Sequence, residues 1–273
     1  MKITAGTTVQ ALQAGLPLDP LENRILLCHA LRLTRVGLIT NAERALTREE
    51  AALLDALVAR RQAGEPIAYI VGQREFFGLP FQVGPAVLIP RPDTELIVEL
   101  ALERLAPAAR MLDMGTGSGA IAVAVAHTRP DAVVTALDLS DDALHVARAN
   151  ASANRANVRF LRSDWFAALG TDQFDLIASN PPYIASGDEH LAQGDLRFEP
   201  SGALTDFADG LSALHTIIEG APAHLVAGGW LLLEHGYDQA AAVRDALLDA
   251  GYTEVQSWRD LGGIERVSGG RRG

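Results

Sequence analysis

Leu112-Asp113-Met114-Gly115-Thr116-Gly117-Ser118-Gly119-Ala120 decides the fold. The segment follows a β-prone stretch, residues 110–113, and runs into an apolar helical stretch, residues 120–126. Glycines at a strand-to-helix turn permit a tight reversal and let backbone N–H groups approach a ligand at the helix N-terminus. Asp138 closes the next strand pattern, 19 residues after Gly119. A carboxylate there can accept hydrogen bonds from both ribose hydroxyls of an adenosine. The loop alone leaves the nucleotide open, because Gly115 to Ala120 also fits the dinucleotide pattern and such a turn can serve strand–helix packing only. No Walker lysine follows the glycines, which argues against a P-loop nucleotidase.

Working outward, strand patterns at 110–113, 133–137, 158–161, 174–179 and 229–234 alternate with helical ones, such as 140–154 with Ser140 as its cap. That alternation predicts βαβ units and a parallel sheet covered on both faces. Residues 254–258 and 264–268 suit a final antiparallel pair, and the tail from Gly269 to Gly273 reads as a frayed, solvated end. The N-terminal part reads as helical. Asp19 precedes a proline at the first helical position, and Leu21, Ile25, Leu26, Cys28, His29 and Leu33 trace one face. Thr47 and Glu50 have capping-box spacing ahead of Leu53, Leu54, Leu57 and Val58, expected inward, with Gly64 as the stop. From residue 67 to 88 the pattern turns to short β-prone runs, Ala68-Tyr69-Ile70-Val71 among them, broken by glycine and proline. A hairpin joining two domains is expected there.

The second informative motif is Asn180-Pro181-Pro182-Tyr183, directly after the strand pattern at 174–179. Proline cannot donate to a sheet ladder and ends the strand. Two prolines fix two φ angles, and Pro181 restricts Asn180 to extended geometry. The turn therefore presents two acceptor oxygens, the Asn180 amide and the Pro181 carbonyl, beside the aromatic face of Tyr183. These suit an NH2 group. A carboxamide nitrogen is a poor nucleophile because its lone pair is delocalised. Two fixed acceptors holding its N–H bonds aim it at an electrophile and favour its pyramidalisation.

The chain has 273 residues, 48% of them hydrophobic and 21% charged, a globular balance. Its net charge is -11, and residues 1–75 hold nine basic against eight acidic groups, so the acidic excess lies beyond them. That asymmetry suggests two units with different partners. The acidic balance counts against a non-specific nucleic-acid binder, whose affinity rests on neutralising phosphates. A single cysteine, Cys28, excludes an internal disulfide. His127, His145, His190, His215, His224 and His235 show no metal-ligand spacing, so no metal is expected. No secretory signal or membrane-length apolar run is visible, and a soluble, cytoplasmic protein without membrane partners is expected.

With these motifs in hand, the chain resembles the class I S-adenosylmethionine-dependent methyltransferases. More specifically, it resembles the protein-(glutamine-N5) methyltransferases that modify peptide chain release factors, the HemK/PrmC family. The likeness spans nearly the whole chain. It includes Gly64 to Gly72, the distinctive Leu88-Ile89-Pro90-Arg91-Pro92-Asp93-Thr94-Glu95, Ser163-Asp164-Trp165-Phe166, Phe198-Glu199-Pro200, Glu234-His235-Gly236 and residues 260–266. The resemblance implies an α/β fold: a Rossmann-like, mostly parallel sheet with an antiparallel last strand, plus a small N-terminal helical domain and a linking β-hairpin. It implies a substrate-docking domain at 1–72, a hairpin linker at 73–90 and a methyltransferase domain at 91–273. Gly115, Thr116, Gly117, Ser118 and Gly119 would cradle the methionine end of S-adenosylmethionine, with S-adenosylhomocysteine as product. Asp138 would hold the ribose, and Asp164 with Trp165 would border the adenine. Asn180, Pro181, Pro182 and Tyr183 would grip the glutamine of a release factor's Gly-Gly-Gln motif, with Asn180, Pro181 and Tyr183 carrying the catalytic role and Asn180 also bordering the cofactor.

Two other readings are open to the motifs. A nucleic-acid adenine-N6 methyltransferase also acts on a planar conjugated NH2, but the charge and the lack of a basic run oppose it, and no direct nucleic-acid contact is expected. A non-catalytic nucleotide-binding partner protein would leave the acceptor pair at Asn180 without a task. Ser179 reads as a strand end, since spacing assigns it no base. Arg91, Asp93 and Glu95 suit either a local charge network or closure of the cofactor site.

Overall fold

Asp19 accepts a hydrogen bond from the Leu21 N–H and Pro20 takes the first helical position, so the announced helix forms in the computed structural model, which describes residues 2–273. It belongs to the first of two units, which divide between Gly72 and Gln73. The helices of that unit are α1 (Val9–Gly15), α2 (Pro20–Leu31), α3 (Arg35–Thr40), α4 (Arg48–Gln62) and α5 (Ile67–Val71). Thr47 and Glu50 make the reciprocal capping box of α4. The core gathers Val9, Leu12, Leu26, Leu27, Leu38, Leu54 and Ile70.

Three expectations for this unit are corrected. Leu21 and Leu53 are 52% and 45% exposed, and His29 is exposed as well. The buried stripes are Leu26, Leu27, Ala30 and Leu31 in α2 and Ala51, Leu54, Leu57 and Val58 in α4. Asn23 fixes the rotation of α2. Its Nδ2 donates to the Leu12 and Gln13 carbonyls at 3.0 and 3.1 Å and so ties α2 to the end of α1. Residues 68–71 form α5 rather than a strand. Gly72, left-handed at φ 73°, closes that turn by donating to the Ala68 carbonyl.

The second unit opens with the antiparallel hairpin β1 (Gln73–Phe76) and β2 (Leu79–Gln82). Phe76 and Phe81 meet edge-to-face at 5.9 Å within this unit's core. The hairpin falls within the second unit.

The remaining strands are β3 (Arg110–Met114), β4 (Val133–Asp138), β5 (Val158–Arg162), β6 (Phe174–Ser179), β7 (Leu225–Glu234), β8 (Tyr252–Arg259) and β9 (Glu265–Arg272). They form one sheet in the order β5-β4-β3-β6-β7-β9-β8. The pairs β5–β4, β4–β3, β3–β6 and β6–β7 are parallel, and β9 is antiparallel to both neighbours. Alternate side chains leave opposite faces. Met111, Leu176 and Leu232 therefore join one core and Leu112, Ile177 and Leu231 the other. The helices are α6 (Glu95–Arg104), α7 (Ala120–Thr128), α8 (Asp141–Ala153), α9 (Ser201–Leu204), α10 (Ser212–His224) and α11 (Ala240–Asp249). Ser140 caps α8 at the Ala143 N–H. Asn150 of α8 pairs with both backbone groups of Gln82 at 2.7 and 3.0 Å and so ties β2 to this layer.

The tail expected to fray is instead strand. Gly269 and Gly270 lie in β9 beside β7 and β8, and a Cβ on Gly269 would stand 2.3 Å from the Leu231 carbonyl oxygen. Arg271 donates to the Gly228 carbonyl at 2.8 Å and pairs with Glu254 at 3.0 Å. The glycines allow close backbone approach rather than looseness.

Candidate active site

From β3 the chain proceeds outward to β4 and β5, then returns to place β6 on the other side of β3. Such a reversal opens a crevice at the carboxyl ends of the strands. Register aligns Met114 of β3 with Ser179 of β6, so the glycine loop and the Asn180 turn leave the sheet side by side. Ser179 strengthens that edge: its hydroxyl donates to the Met114 carbonyl at 2.7 Å, as suits a strand end. A cavity of about 350 Å³ lies over this point.

Residues 115–118, Asp138, Asp164, Trp165, Asn180 and Pro182 line the cavity. Gly119, Pro181 and Tyr183 are not among its lining residues. Gly115 and Gly117 adopt φ of 68° and 55°, and a Cβ on either would meet nothing within 4 Å. Their bare backbone faces open space, and conformation rather than crowding demands glycine. Gly119 differs: a Cβ there would press on Val123 and Ala147 at 3.2 Å, so it serves helix packing.

The loop is held from beneath by Asp113. One oxygen accepts from the Thr116 hydroxyl at 2.6 Å and the Ala122 N–H at 3.1 Å, which joins strand, loop and helix. Burial raises the Asp113 pKa to about 7 against those hydrogen bonds. Asp138 accepts from the Gly117 and Ser140 N–H groups, both at 2.9 Å, one on each carboxylate oxygen. Burial raises its pKa as well. Its shape is thus fixed before any ligand arrives, and each oxygen keeps a further lone pair. Trp165 takes a left-handed backbone at φ 44°, held by the Ser163 hydroxyl, which donates to the Trp165 carbonyl at 2.6 Å. A non-glycine residue kept in that region costs conformational energy, and such strain gathers at functional sites.

Asn180 donates from Nδ2 to the Thr94 hydroxyl at 3.1 Å. Among the described residues nothing donates to its Oδ1 or to the Pro181 carbonyl. Beyond the turn, Gln239 donates from Nε2 to the Tyr183 and Gly210 carbonyls at 3.0 and 3.1 Å and accepts from the Gly236 N–H at 2.8 Å. One side chain thereby joins three loops. The Tyr183 hydroxyl turns toward Glu234 Oε1, 3.5 Å away, and burial raises its pKa. His235 is buried, with Nδ1 facing the Gly236 carbonyl at 2.8 Å and Nε2 facing the Ser268 hydroxyl at 2.7 Å. A ring so placed is neutral, and burial lowers its pKa.

Arg91, Asp93 and Glu95 find three separate partners instead of one network. Arg91 pairs with the buried Glu199 carboxylate, which also accepts from the Ile89 N–H at 3.1 Å. Asp93 faces Arg266 at 3.5 Å, and Glu95 accepts from the Phe77 N–H at 2.9 Å. The Arg91–Glu199 pair ties together two segments from which Leu88, Pro90, Pro200 and Gly202 line the cavity. Sequence reasoning gave no role to Gln239 and placed neither segment at the cavity, although residues 88–95, Thr94 among them, and 198–200 stand out as motifs.

Residues 93–198 match the family model for the methyltransferase small domain, and residues 7–72 match that for the PrmC N-terminal domain. The chain is 56% identical over 279 residues to the release factor glutamine methyltransferase of Burkholderia pseudomallei, covering 99% of this chain and 98% of that one. It is 54% identical to the Bordetella pertussis protein of the same name, over 97% of this chain and 99% of that one. Among solved structures, a methyltransferase from Pyrococcus furiosus shares the fold with a TM-score of 0.56 at 23% identity, over 79% of this chain and 97% of that one.

Proposed function

This chain belongs to the release factor glutamine methyltransferase family, and on that premise we propose that it methylates the side-chain amide nitrogen of the Gly-Gly-Gln glutamine in peptide chain release factors, with S-adenosylmethionine as donor. The whole-chain relatives favour this reading over an adenine-N6 methyltransferase or a non-catalytic binding protein. The observation that carries it is the pair of oxygens without partners, Asn180 Oδ1 and the Pro181 carbonyl, beside a cavity lined by a glycine loop and a strand-end carboxylate.

The cavity fits the cofactor. Gly115 and Gly117 turn bare backbone toward open space, Asp138 retains acceptor capacity for two ribose hydroxyls, and Asp164 and Trp165 supply a polar and an aromatic border for a base. S-adenosylmethionine supplies an electrophilic methyl group on positively charged sulfur. Asn180 Oδ1 and the Pro181 carbonyl accept the two N–H bonds of the glutamine carboxamide and aim its nitrogen along one line. Both oxygens also stabilise the positive charge that builds on that nitrogen as its C–N bond to methyl forms. The sulfur would keep the electron pair of the broken S–CH3 bond, leaving S-adenosylhomocysteine, and the strongly acidic cationic amide would then lose its extra proton to water, so no strong base is required. Tyr183 packs beside the turn and, with Pro182, walls the substrate side. The reaction proceeds in the cytoplasm without direct nucleic-acid contact.

Incubation of the protein with a purified release factor and S-adenosylmethionine, followed by peptide mass spectrometry, tests the reading. One methyl group on the glutamine is expected, and methylation elsewhere or none would overturn it. The helical unit at 1–72 is assigned the docking of the release factor body. Its removal should impair methylation of the whole release factor far more than cofactor binding; equal activity of truncated and full-length protein would remove that role.

A further inference from the structure

Two buried asparagines, Asn150 in α8 and Asn154 at its end, grip the hairpin strand β2. Asn154 donates from Nδ2 to the Pro80 carbonyl at 2.9 Å and to the Asn150 carbonyl at 3.0 Å. Asn150 is 0% exposed and does more. Its Oδ1 accepts from the Gln82 N–H at 2.7 Å, and its Nδ2 donates to the Gln82 carbonyl at 3.0 Å and the Ser118 carbonyl at 2.8 Å. A backbone N–H only donates and a carbonyl only accepts, so all three bonds demand the same orientation of the amide. The bond that Asn154 lacks is the one to the glycine loop.

That bond completes the hold on one peptide group. The Ser118 carbonyl and the Gly119 N–H belong to a single planar unit. Its N–H donates to the Thr116 carbonyl at 2.8 Å and closes the loop into a turn, while its oxygen is taken by Asn150. Gly119 stands at φ 85°. Without a Cβ it admits φ of either sign, so the peptide ahead of it can turn over at little steric cost unless a partner holds it. The helix α8 comes near enough to do so because Gly119 is bare: a Cβ there would lie 3.2 Å from Ala147, three residues before Asn150. Ser118 lines the cavity, and the chain leaving Gln82 reaches it at Ala86, Leu88 and Pro90. One buried amide thus joins two parts of the cavity wall.

We propose that Asn150 is a positioning residue for the cofactor: it fixes the Ser118–Gly119 peptide and so keeps the glycine loop in the shape that receives S-adenosylmethionine. The inference rests on the functional reading above. It adds to the grips of Asp113 and Asp138 a third, from the helix of the next βα unit, and it makes the hairpin and the loop a single piece.

Asn154 supplies the control, since it holds the hairpin and makes no hydrogen bond to the loop. Asn150→Ala should weaken calorimetric affinity for S-adenosylmethionine by about tenfold or more, the factor expected when only about a tenth of the molecules hold the receiving loop. In the unliganded protein it should also speed hydrogen exchange of the Gly119 amide by about tenfold or more. Asn154→Ala should change either quantity by less than about threefold, although both variants lower the denaturation midpoint. Equal losses of affinity in the two variants would trace the effect to the hairpin, and unchanged affinity in a folded Asn150→Ala would show packing alone; either overturns the proposal. If Asn150→Ala does not fold, the labelled wild type decides. Scalar coupling through the hydrogen bond from the Asn150 side-chain nitrogen to the Ser118 carbonyl carbon supports the grip, and its absence refutes it. If cofactor affinity follows Asn150 and yet no glutamine is methylated, the functional reading fails and this inference stands. If the wild type binds no S-adenosylmethionine, that reading fails at the cofactor, and Gly119 exchange alone decides whether Asn150 fixes the loop.

Discussion

The glycine loop after β3 and the proline turn after β6 leave neighbouring parallel strands on the same side of one crevice, and they are held in opposite ways. The loop is flexible by composition and is fixed by partners close to it in the chain. Asp113 grips Thr116 and Ala122, and Asp138 grips Gly117. The turn is stiff by composition, since two prolines set its backbone, yet its hydrogen-bond contacts come from remote residues. Thr94 lies 86 residues before Asn180, and Gln239 lies 56 residues after Tyr183. Ligand binding by backbone needs local glycine geometry, whereas aiming a reacting nitrogen needs an oxygen whose direction is fixed from outside.

This division can be broken most sharply at Asn180. Asn180→Ala removes one aimed acceptor and should lower kcat by about 10²–10³-fold while cofactor affinity stays within about tenfold. Steady-state kinetics with calorimetry checks this, and a variant that kept most of its kcat would strip the turn of its role. On the loop side, Asp138→Ala should weaken cofactor binding by about 1.5–3 kcal/mol through loss of charge-assisted hydrogen bonds. Unchanged calorimetric affinity would remove Asp138 from the ribose. Gln239→Ala should be milder. Loss of one side chain joining Tyr183, Gly210 and Gly236 should lower kcat by roughly two- to tenfold, with cofactor affinity unchanged. A fall in cofactor affinity without a fall in kcat would place Gln239 on the wrong side of the comparison.

The smallest effect concerns pH. Burial raises the Glu234 pKa from 4.5 to about 7, so the folded protein holds a proton that the unfolded chain releases across that window. The resulting stabilisation is complete below about 4.5 and is lost as pH rises through about 7. Asp113, raised from 3.8 to about 7, has the same sign. Chemical denaturation of the unliganded protein should therefore show wild-type stability declining between these limits more steeply than that of Glu234→Gln. Parallel curves would mean that Glu234 does not titrate in this range.

What could be read from the chain follows the same division. The loop, the carboxylate at 138, the capping box at 47–50 and the βαβ alternation are local patterns, and the structure contains each of them. Contacts across long separations were not legible. Asn180 meets Thr94 across 86 residues and Tyr183 meets Gln239 across 56, and neither Thr94 nor Gln239 advertises a role alone. The tail glycines looked like a loose end because composition cannot distinguish glycine chosen for freedom from glycine chosen for close approach. The buried face of α2 is not legible at Leu21, because a buried polar residue, Asn23, helps set the rotation of that helix and apolar spacing alone does not reveal it.

The central claim is that Asn180 Oδ1 and the Pro181 carbonyl together capture the substrate nitrogen. A crystal structure of the full chain with S-adenosylhomocysteine and a Gly-Gly-Gln peptide tests it most directly. The account predicts the glutamine amide nitrogen within hydrogen-bond distance of both oxygens, about 2.7–3.2 Å, and directed at the cofactor sulfur. A glutamine nitrogen held by other groups, with either oxygen left facing solvent, would contradict it.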